Sequence, residues 1–91
     1  MTAWARIIIV DYKSGQHLQN CVDALIAQTF TDFTVKIIDN DCPEKASQSL
    51  TGLDGRFEVI INPENSGYAG GCNFGARGAQ TPWLIMLNPD T

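Results

Sequence analysis

Apolar residues fall into four short runs: Ile7-Ile8-Ile9-Val10, Val35-Lys36-Ile37-Ile38, Phe57-Glu58-Val59-Ile60-Ile61 and Trp83-Leu84-Ile85-Met86-Leu87. Each is rich in β-branched or aromatic side chains and ends in polar residues. Nearly unbroken apolar runs of this length predict strands buried on both faces, as in a parallel sheet. Between the first two runs, Leu18, Cys21, Val22, Leu25 and Ile26 recur at i, i+3, i+4, i+7 and i+8, which is one face of an amphipathic helix. Ser14 is placed to cap its start, and Thr29 to Asp32 form its exit loop. A weaker helix is predicted over Glu44 to Leu53, with Pro43 suited to its first turn and Gly52 and Gly55 marking its end. Asn62 to Gln80 opens as a Gly- and Asn-rich loop and predicts a third helix over Gly71 to Ala79, anchored by Phe74.

The alternation β-α-β-α-β-α-β predicts an α/β fold, a three-layer, Rossmann-like parallel sheet. Crossover connections between parallel strands are almost always right-handed. If strands 1, 2 and 3 step outward and strand 4 returns beside strand 1, the order is 3-2-1-4. Helices 1 and 2 then share one face and helix 3 takes the other. Open sheets of this kind bind ligands outside the carboxyl ends of the strands, at the point where the order reverses.

Composition narrows the function. The chain has 91 residues, one small domain, and a formal net charge of −4. Its six Lys and Arg residues are scattered and form no basic stripe, which argues against a nucleic-acid partner. An acidic protein that binds a diphosphate needs a metal ion or aimed backbone N–H groups. Cys21, Cys42 and Cys72 are odd in number and lack zinc-type spacing, so free thiols in a reducing compartment are expected. The apolar runs are too short to span a membrane, and the N-terminus lacks the layout of a signal peptide; the expected location is cytoplasmic. His17 stands alone near a helix start and reads as a solvated side chain, Arg77 as a surface charge, and Trp4 and Trp83 as packing residues.

The predicted strands end in chemistry-bearing clusters: Asp11-Tyr12-Lys13 after the first, Asp39-Asn40-Asp41 after the second and Asn88-Pro89-Asp90 after the fourth. On a parallel sheet these clusters share one rim, where carboxylates accept hydrogen bonds from a base or ribose, or ligate a hard divalent cation. Asp and Asn also serve there as plain helix caps and turn formers. The glycine-dense stretch Asn65 to Gly75 permits positive φ and close backbone approach, either to a ligand or to the sheet above it. It is neither a Rossmann fingerprint, which follows the first strand, nor a P-loop, which needs Gly-Lys-Ser/Thr.

Five segments in order, Ile8 to Gly15, Leu25 to Phe30, Ile37 to Asn40, Asn62 to Asn73 and Leu87 to Thr91, resemble family 2 glycosyltransferases of the GT-A fold. Ile8-Ile9-Val10-Asp11-Tyr12-Lys13-Ser14-Gly15 is similar to the family's first strand, Leu25-Ile26-Ala27-Gln28-Thr29-Phe30 to the end of its first helix, and Ile37-Ile38-Asp39-Asn40 to its second strand. Asn62-Pro63-Glu64-Asn65-Ser66-Gly67-Tyr68-Ala69-Gly70-Gly71-Cys72-Asn73 resembles its N-x-x-N-x-G-(F/Y)-A-x-x-x-N loop. Leu87-Asn88-Pro89-Asp90-Thr91 resembles the L-N-P-D-T form of its D-x-D motif, seen in rhamnosyltransferase-like members. Lys13 and Asp11 depart from the usual Asn and Thr or Asn.

The resemblance implies a truncated GT-A domain over residues 1–91, the nucleotide-sugar-binding part of a metal-dependent inverting glycosyltransferase. Sugar, with rhamnose as a candidate, would pass from a dTDP- or UDP-sugar to a glycan or lipid-linked acceptor, at the cytoplasmic face of the membrane in a full-length parent. It implies a nucleotide-sugar site formed by Val10, Asp11, Tyr12, Asp39, Asn40, Gly67, Gly70, Gly71, Asn73, Asn88 and Asp90. Asp11 and Tyr12 would lie by the base, and Asp39 would hydrogen-bond it. The Gly67 to Asn73 loop would line the pocket, with Asn88 at ribose or metal. Asp90 would hold Mg²⁺ or Mn²⁺ against the diphosphate, whose leaving charge the metal neutralises. The family's acceptor half and general base are expected outside these residues, so the part alone is expected to be inactive. A non-catalytic nucleotide-binding or interaction module, and an unrelated flavodoxin-like domain, are the alternatives. The bare outer edge of strand 4 is expected to drive homo-oligomer formation.

Overall fold

The computed structural model describes residues 3–12, 15–40, 50–62 and 67–89. Its elements are β1 (Ala5–Asp11), α1 (Gln16–Ile26), β2 (Phe33–Asp39), β3 (Phe57–Ile61), α2 (Gly67–Ala76) and β4 (Trp83–Leu87). The strands form one sheet in the order β3-β2-β1-β4, and every pairing is parallel. The four predicted strands and their order are therefore those observed.

Alternation along β1 divides the core in two. Ile7 and Ile9 join Val35 and Ile37 of β2 and pack under Leu18, Val22 and Leu25 of α1. Ile8 and Val10 join Ile38 on the opposite face, under Cys72 and Phe74 of α2. The central strands are thus buried on both sides, which is why their sequences read as unbroken apolar runs. Each fully buried Ile contributes roughly 1.5–3 kcal/mol through the area it removes from water.

Local chemistry fixes the helices in place. α1 begins at Gln16, two residues before the predicted apolar face, after Gly15 at φ 57°, and among the described residues no side chain caps it; Ser14, the expected cap, lies outside them. The Gln19 amide bonds both the N–H and the carbonyl of Thr51, at 3.0 and 3.1 Å, and so holds the approach to β3 against α1. The Arg6 guanidinium donates to the carbonyls of Gly75 and Arg77, each at 3.0 Å. Carbonyls at a helix end lack intrahelical partners, and a cation suits the negative end of the helix dipole.

Two expectations need correction. The third helix was expected over Gly71 to Ala79, but α2 spans Gly67–Ala76. Four residues assigned to a loop on their glycine content are helical because packing outweighs propensity. A Cβ on Gly71 would lie 2.8 Å from Val10 Cγ1, and one on Gly75 would lie 2.7 Å from Ile8 Cγ2. These two glycines, one helical turn apart, let α2 lie directly on the sheet. The second helix, expected over Glu44 to Leu53, falls on residues 44–49 outside the described residues, and Leu50 to Leu53 are not helical.

β4 is the outer strand beside β1, and α2 packs on β1 and β2 rather than over it. Trp83, Leu84, Ile85 and Met86 are consequently 40–57% exposed, on a strand with no charged residue. At its amino end Trp83 stands 6.0 Å from Trp4, which meets Phe30 edge-on at 5.3 Å. Both tryptophans therefore sit at the rim where the strands begin, away from the polar strand ends.

Candidate functional site at the carboxyl rim

Because the sheet is wholly parallel, the polar residues that close each apolar run gather at one rim. Asp11 pairs in register with Asp39, so the last residues of β1 and β2 are neighbours. Neighbouring strands lie about 4.8 Å apart, and alternation puts both carboxylates on the α1 face, in line with Ile9 and Ile37. Each is 0% exposed. Two acidic side chains are thus enclosed side by side at the ends of β1 and β2. Tyr12, the residue after Asp11, is exposed.

On the other face the rim is built from amides. The Asn40 N–H donates to the Asp11 carbonyl at 3.0 Å, and the Asn62 N–H donates to the Asp39 carbonyl at 2.7 Å. The Asn62 side-chain amide donates to Asn40 Oδ1 at 2.9 Å, and the Asn40 amide donates to the Gly67 carbonyl at 3.1 Å. Asn40 and Asn62 are both buried. Asn62 was not among the site residues expected from the sequence. Its signal was its position: it closes the third apolar run as Asp39-Asn40 closes the second.

The remaining predicted residues fall in three groups. Gly67 has φ +78° and opens α2 at the rim, so its glycine has a backbone reason. Gly70, Gly71 and Asn73 lie within the helix rather than in a lining loop. Gly71 is in contact with Val10, whose side chain packs beneath α2, and Asn73 is exposed. Pairing of β4 with β1 ends at Leu87 opposite Ile9, so Asn88 and Pro89 emerge beside Val10 and Asp11 on the same rim; Asn88 is exposed. Asp90, the expected metal ligand, lies outside the described residues, as do Lys13, Asp41 and Cys42.

Among the described residues no group of three His, Cys, Asp or Glu side chains is arranged to hold a metal ion. A groove of about 500 Å³ runs between α1 and β4 and ends at the rim, lined by His17, Cys21, Leu25, Ile85, Leu87 and Asn88 among others. Its volume is that of a small-molecule cleft. Partial burial raises the Cys21 thiol above its ordinary value, because the thiolate is the form that loses hydration. Cys21 and Cys72 are both free thiols. Among the described residues no helix is long and apolar enough to cross a membrane.

Known proteins match the chain across this architecture. The model of "Glycosyl transferase family 2" matches residues 6–91. An uncharacterized glycosyltransferase of Haemophilus influenzae is 31% identical over 84 residues, covering 92% of this chain and 28% of its own length. The teichoic acid poly(glycerol phosphate) polymerase of Staphylococcus epidermidis is 23% identical over 88 residues, 12% of its own length. The uncharacterized glycosyltransferase EpsJ of Bacillus subtilis is 23% identical over 87 residues, 25% of its length. The chain thus spans little more than a quarter, at most, of the length of these relatives.

Proposed function

The chain belongs to glycosyl transferase family 2, and on that premise we propose that its carboxyl rim holds the nucleoside-diphosphate end of a sugar donor. The supporting observation is the in-register pair Asp11 and Asp39, set at the point where the strand order turns from β2 to β4 about β1. α1 and α2 lie on opposite faces on either side of that point. A crevice forms outside the strand ends in such an arrangement, and it is where open α/β sheets take nucleotides.

Each part of the rim has a role in this proposal. The base is placed beside exposed Tyr12 at the ends of β1 and β2. Asp11 and Asp39 are the carboxylates that would accept from ring N–H and ribose hydroxyl groups. Both are enclosed here, so that contact requires the chain covering them to move aside. Asn40 and the first turn of α2, with Gly67, Gly70 and Gly71, border the pocket. Asn88 lies toward the ribose, and Asn73 at the outer margin of the helix. A divalent cation, Mg²⁺ or Mn²⁺, would be held by Asp90 and would neutralise the departing diphosphate. That role for Asp90 is proposed from the motif Leu87-Asn88-Pro89-Asp90-Thr91. Sugar transfer from a dTDP- or UDP-linked donor, rhamnose included, to a glycan or lipid-linked acceptor is the activity proposed for the whole enzyme. The chain is proposed to act on the cytoplasmic side of the membrane.

Calorimetric titration with dTDP and with UDP, each with and without Mn²⁺, tests the proposal. Metal is expected to tighten binding at least tenfold, and Asp90→Ala to remove that gain. Binding unaffected by metal would favour a non-catalytic nucleotide-binding module; no binding of either nucleotide would refute the donor site.

A further inference from the structure

Asn40 and Asn62 place two buried amides where a donor site could have used outward-facing ones. Their side chains are directed at each other and at α2. The hydrogen bonds form one continuous path: Asn62 N–H to the Asp39 carbonyl, Asn62 Nδ2 to Asn40 Oδ1, Asn40 Nδ2 to the Gly67 carbonyl, and Asn40 N–H to the Asp11 carbonyl. This path joins the ends of β1, β2 and β3 to the first residue of α2. It also ties together the two residues that flank 63–66, Asn62 and Gly67.

We infer that Asn40 and Asn62 form a positioning latch that sets where the first turn of α2 stands relative to the rim. The inference rests on the donor-binding proposal for its functional consequence, because that turn borders the proposed pocket. Three observations carry it. Asn62 is only 6% exposed and Asn40 only 1%, so water does not compete with the amide–amide bond. Gly67 adopts φ +78°, so the chain makes its sharp entry into the helix at the residue whose carbonyl the latch holds. The helix itself offers little resistance to movement at that end. Beyond Gly67 its first five positions hold two more glycines, Gly70 and Gly71, and each of these lowers intrinsic helix stability by roughly 1 kcal/mol relative to Ala.

A buried apolar pair of the same size could fill the space equally well, and replacing both partners of a hydrogen bond in this way is often nearly neutral for stability. Apolar contact is non-directional, however, whereas amide geometry admits a narrow range of distance and angle. Asn40 uses both ends of its amide, accepting from β3's end and donating to α2. It therefore couples the two elements in a way that neither partner achieves alone. Asn40 and Asn62 are positioning residues in this account.

Amide hydrogen exchange and nucleotide calorimetry on Asn62→Ala and Asn40→Ala test the latch. Exchange at residues 70–73 is expected to accelerate at least tenfold in both variants while exchange at Ile8, Ile9 and Val10 stays as in wild type. Affinity for whichever of UDP and dTDP the wild type binds with Mn²⁺ should fall at least tenfold. Unchanged exchange in α2, or acceleration in step with β1, would overturn the latch, since either outcome leaves no local hold on the helix start. Accelerated exchange with wild-type affinity would overturn its functional consequence. Should Asn62→Ala fail to fold, Asn62→Ser, whose hydroxyl stops short of Asn40, carries the same expectations. A wild type that binds neither nucleotide refutes the donor site, and the exchange arm alone then decides whether the latch exists.

Discussion

The close approach of α2 to the sheet yields a quantitative expectation for Gly75→Ala. The new Cβ would sit 2.7 Å from Ile8 Cγ2 and 3.2 Å from Ile38 Cγ1, where carbon atoms pack best at about 3.5–4.0 Å. Ile8 and Ile38 are fully buried in the central strands and have no space into which to withdraw. Overpacking of this kind costs about 1–3 kcal/mol. Against it stands a helix-propensity gain of about 1 kcal/mol for replacing a helical glycine by alanine. The net effect is a destabilisation of up to about 2 kcal/mol, and in a domain of this size each kcal/mol lowers Tm by roughly 4–8 °C. Thermal unfolding by circular dichroism reads the shift. Gly55→Ala is the control: its Cβ would meet nothing within 4 Å, so it should be neutral or stabilising by up to about 1 kcal/mol. A second cycle isolates the clash itself. Gly71→Ala places a Cβ 2.8 Å from Val10 Cγ1, and combining it with Val10→Ala removes that atom. The double variant should then be more stable than the sum of the single losses predicts, by on the order of 1 kcal/mol. A Gly75→Ala protein at or above the wild-type Tm, together with simple additivity for the Gly71 and Val10 pair, would refute the packing account.

Two further outcomes are expected. Cys21, with its thiol raised by desolvation, should react with iodoacetamide more slowly at pH 7 than an unstructured cysteine; a folded-state pKa above the unfolded one also means that its contribution to stability is present below the ordinary thiol pKa and is lost as pH rises through the folded value. A Cys21 that alkylates as fast as in urea would contradict the burial. We also propose that β4 pairs edge to edge with β4 of a second copy, because it is an uncharged, exposed apolar strand with none of the charges that usually guard such edges. Light scattering should show association at high concentration that Met86→Lys abolishes with little loss of Tm, and a wild type that stays monomeric would refute it.

The strands and their order could be read from the sequence because burial on both faces leaves a one-dimensional trace. Ile7 to Val10 and Val35 to Ile38 are apolar at nearly every position, so neither needs knowledge of its neighbours to be recognised. α2 could not be placed so well. Its glycines at Gly71 and Gly75 carry the opposite local preference, and the reason for them is the distance to Val10 and Ile8, a tertiary fact. The same holds for Asn62. Its amide matters through Asn40, 22 residues earlier in the chain; its place at the close of the third apolar run marks it as a strand-end residue, a position that turn-forming asparagines share. Asp11 and Asp39 were identifiable as rim residues, but their enclosure was not, since an aspartate closing a strand ordinarily meets solvent.

The core and the candidate site share one determinant, the register of β1 against β2. Ile7 opposite Val35 and Ile9 opposite Ile37 form the layer beneath α1, and continuing that pairing by one step of two residues brings Asp11 opposite Asp39. A shift of one residue would turn every apolar side chain of the strand to the other face, so the pairing that buries these residues is strongly specified. The acidic pair is therefore positioned by hydrophobic burial several residues away and needs no dedicated contact to bring its members together. What that register does not specify is how the first turn of α2 stands at the rim, because the close contacts of the helix with Val10 and Ile8 are made further along it, at Gly71 and Gly75. Directional hydrogen bonds are needed at that joint, and the described structure supplies them there, at Asn40 and Asn62 at one end of the helix and at Arg6 at the other.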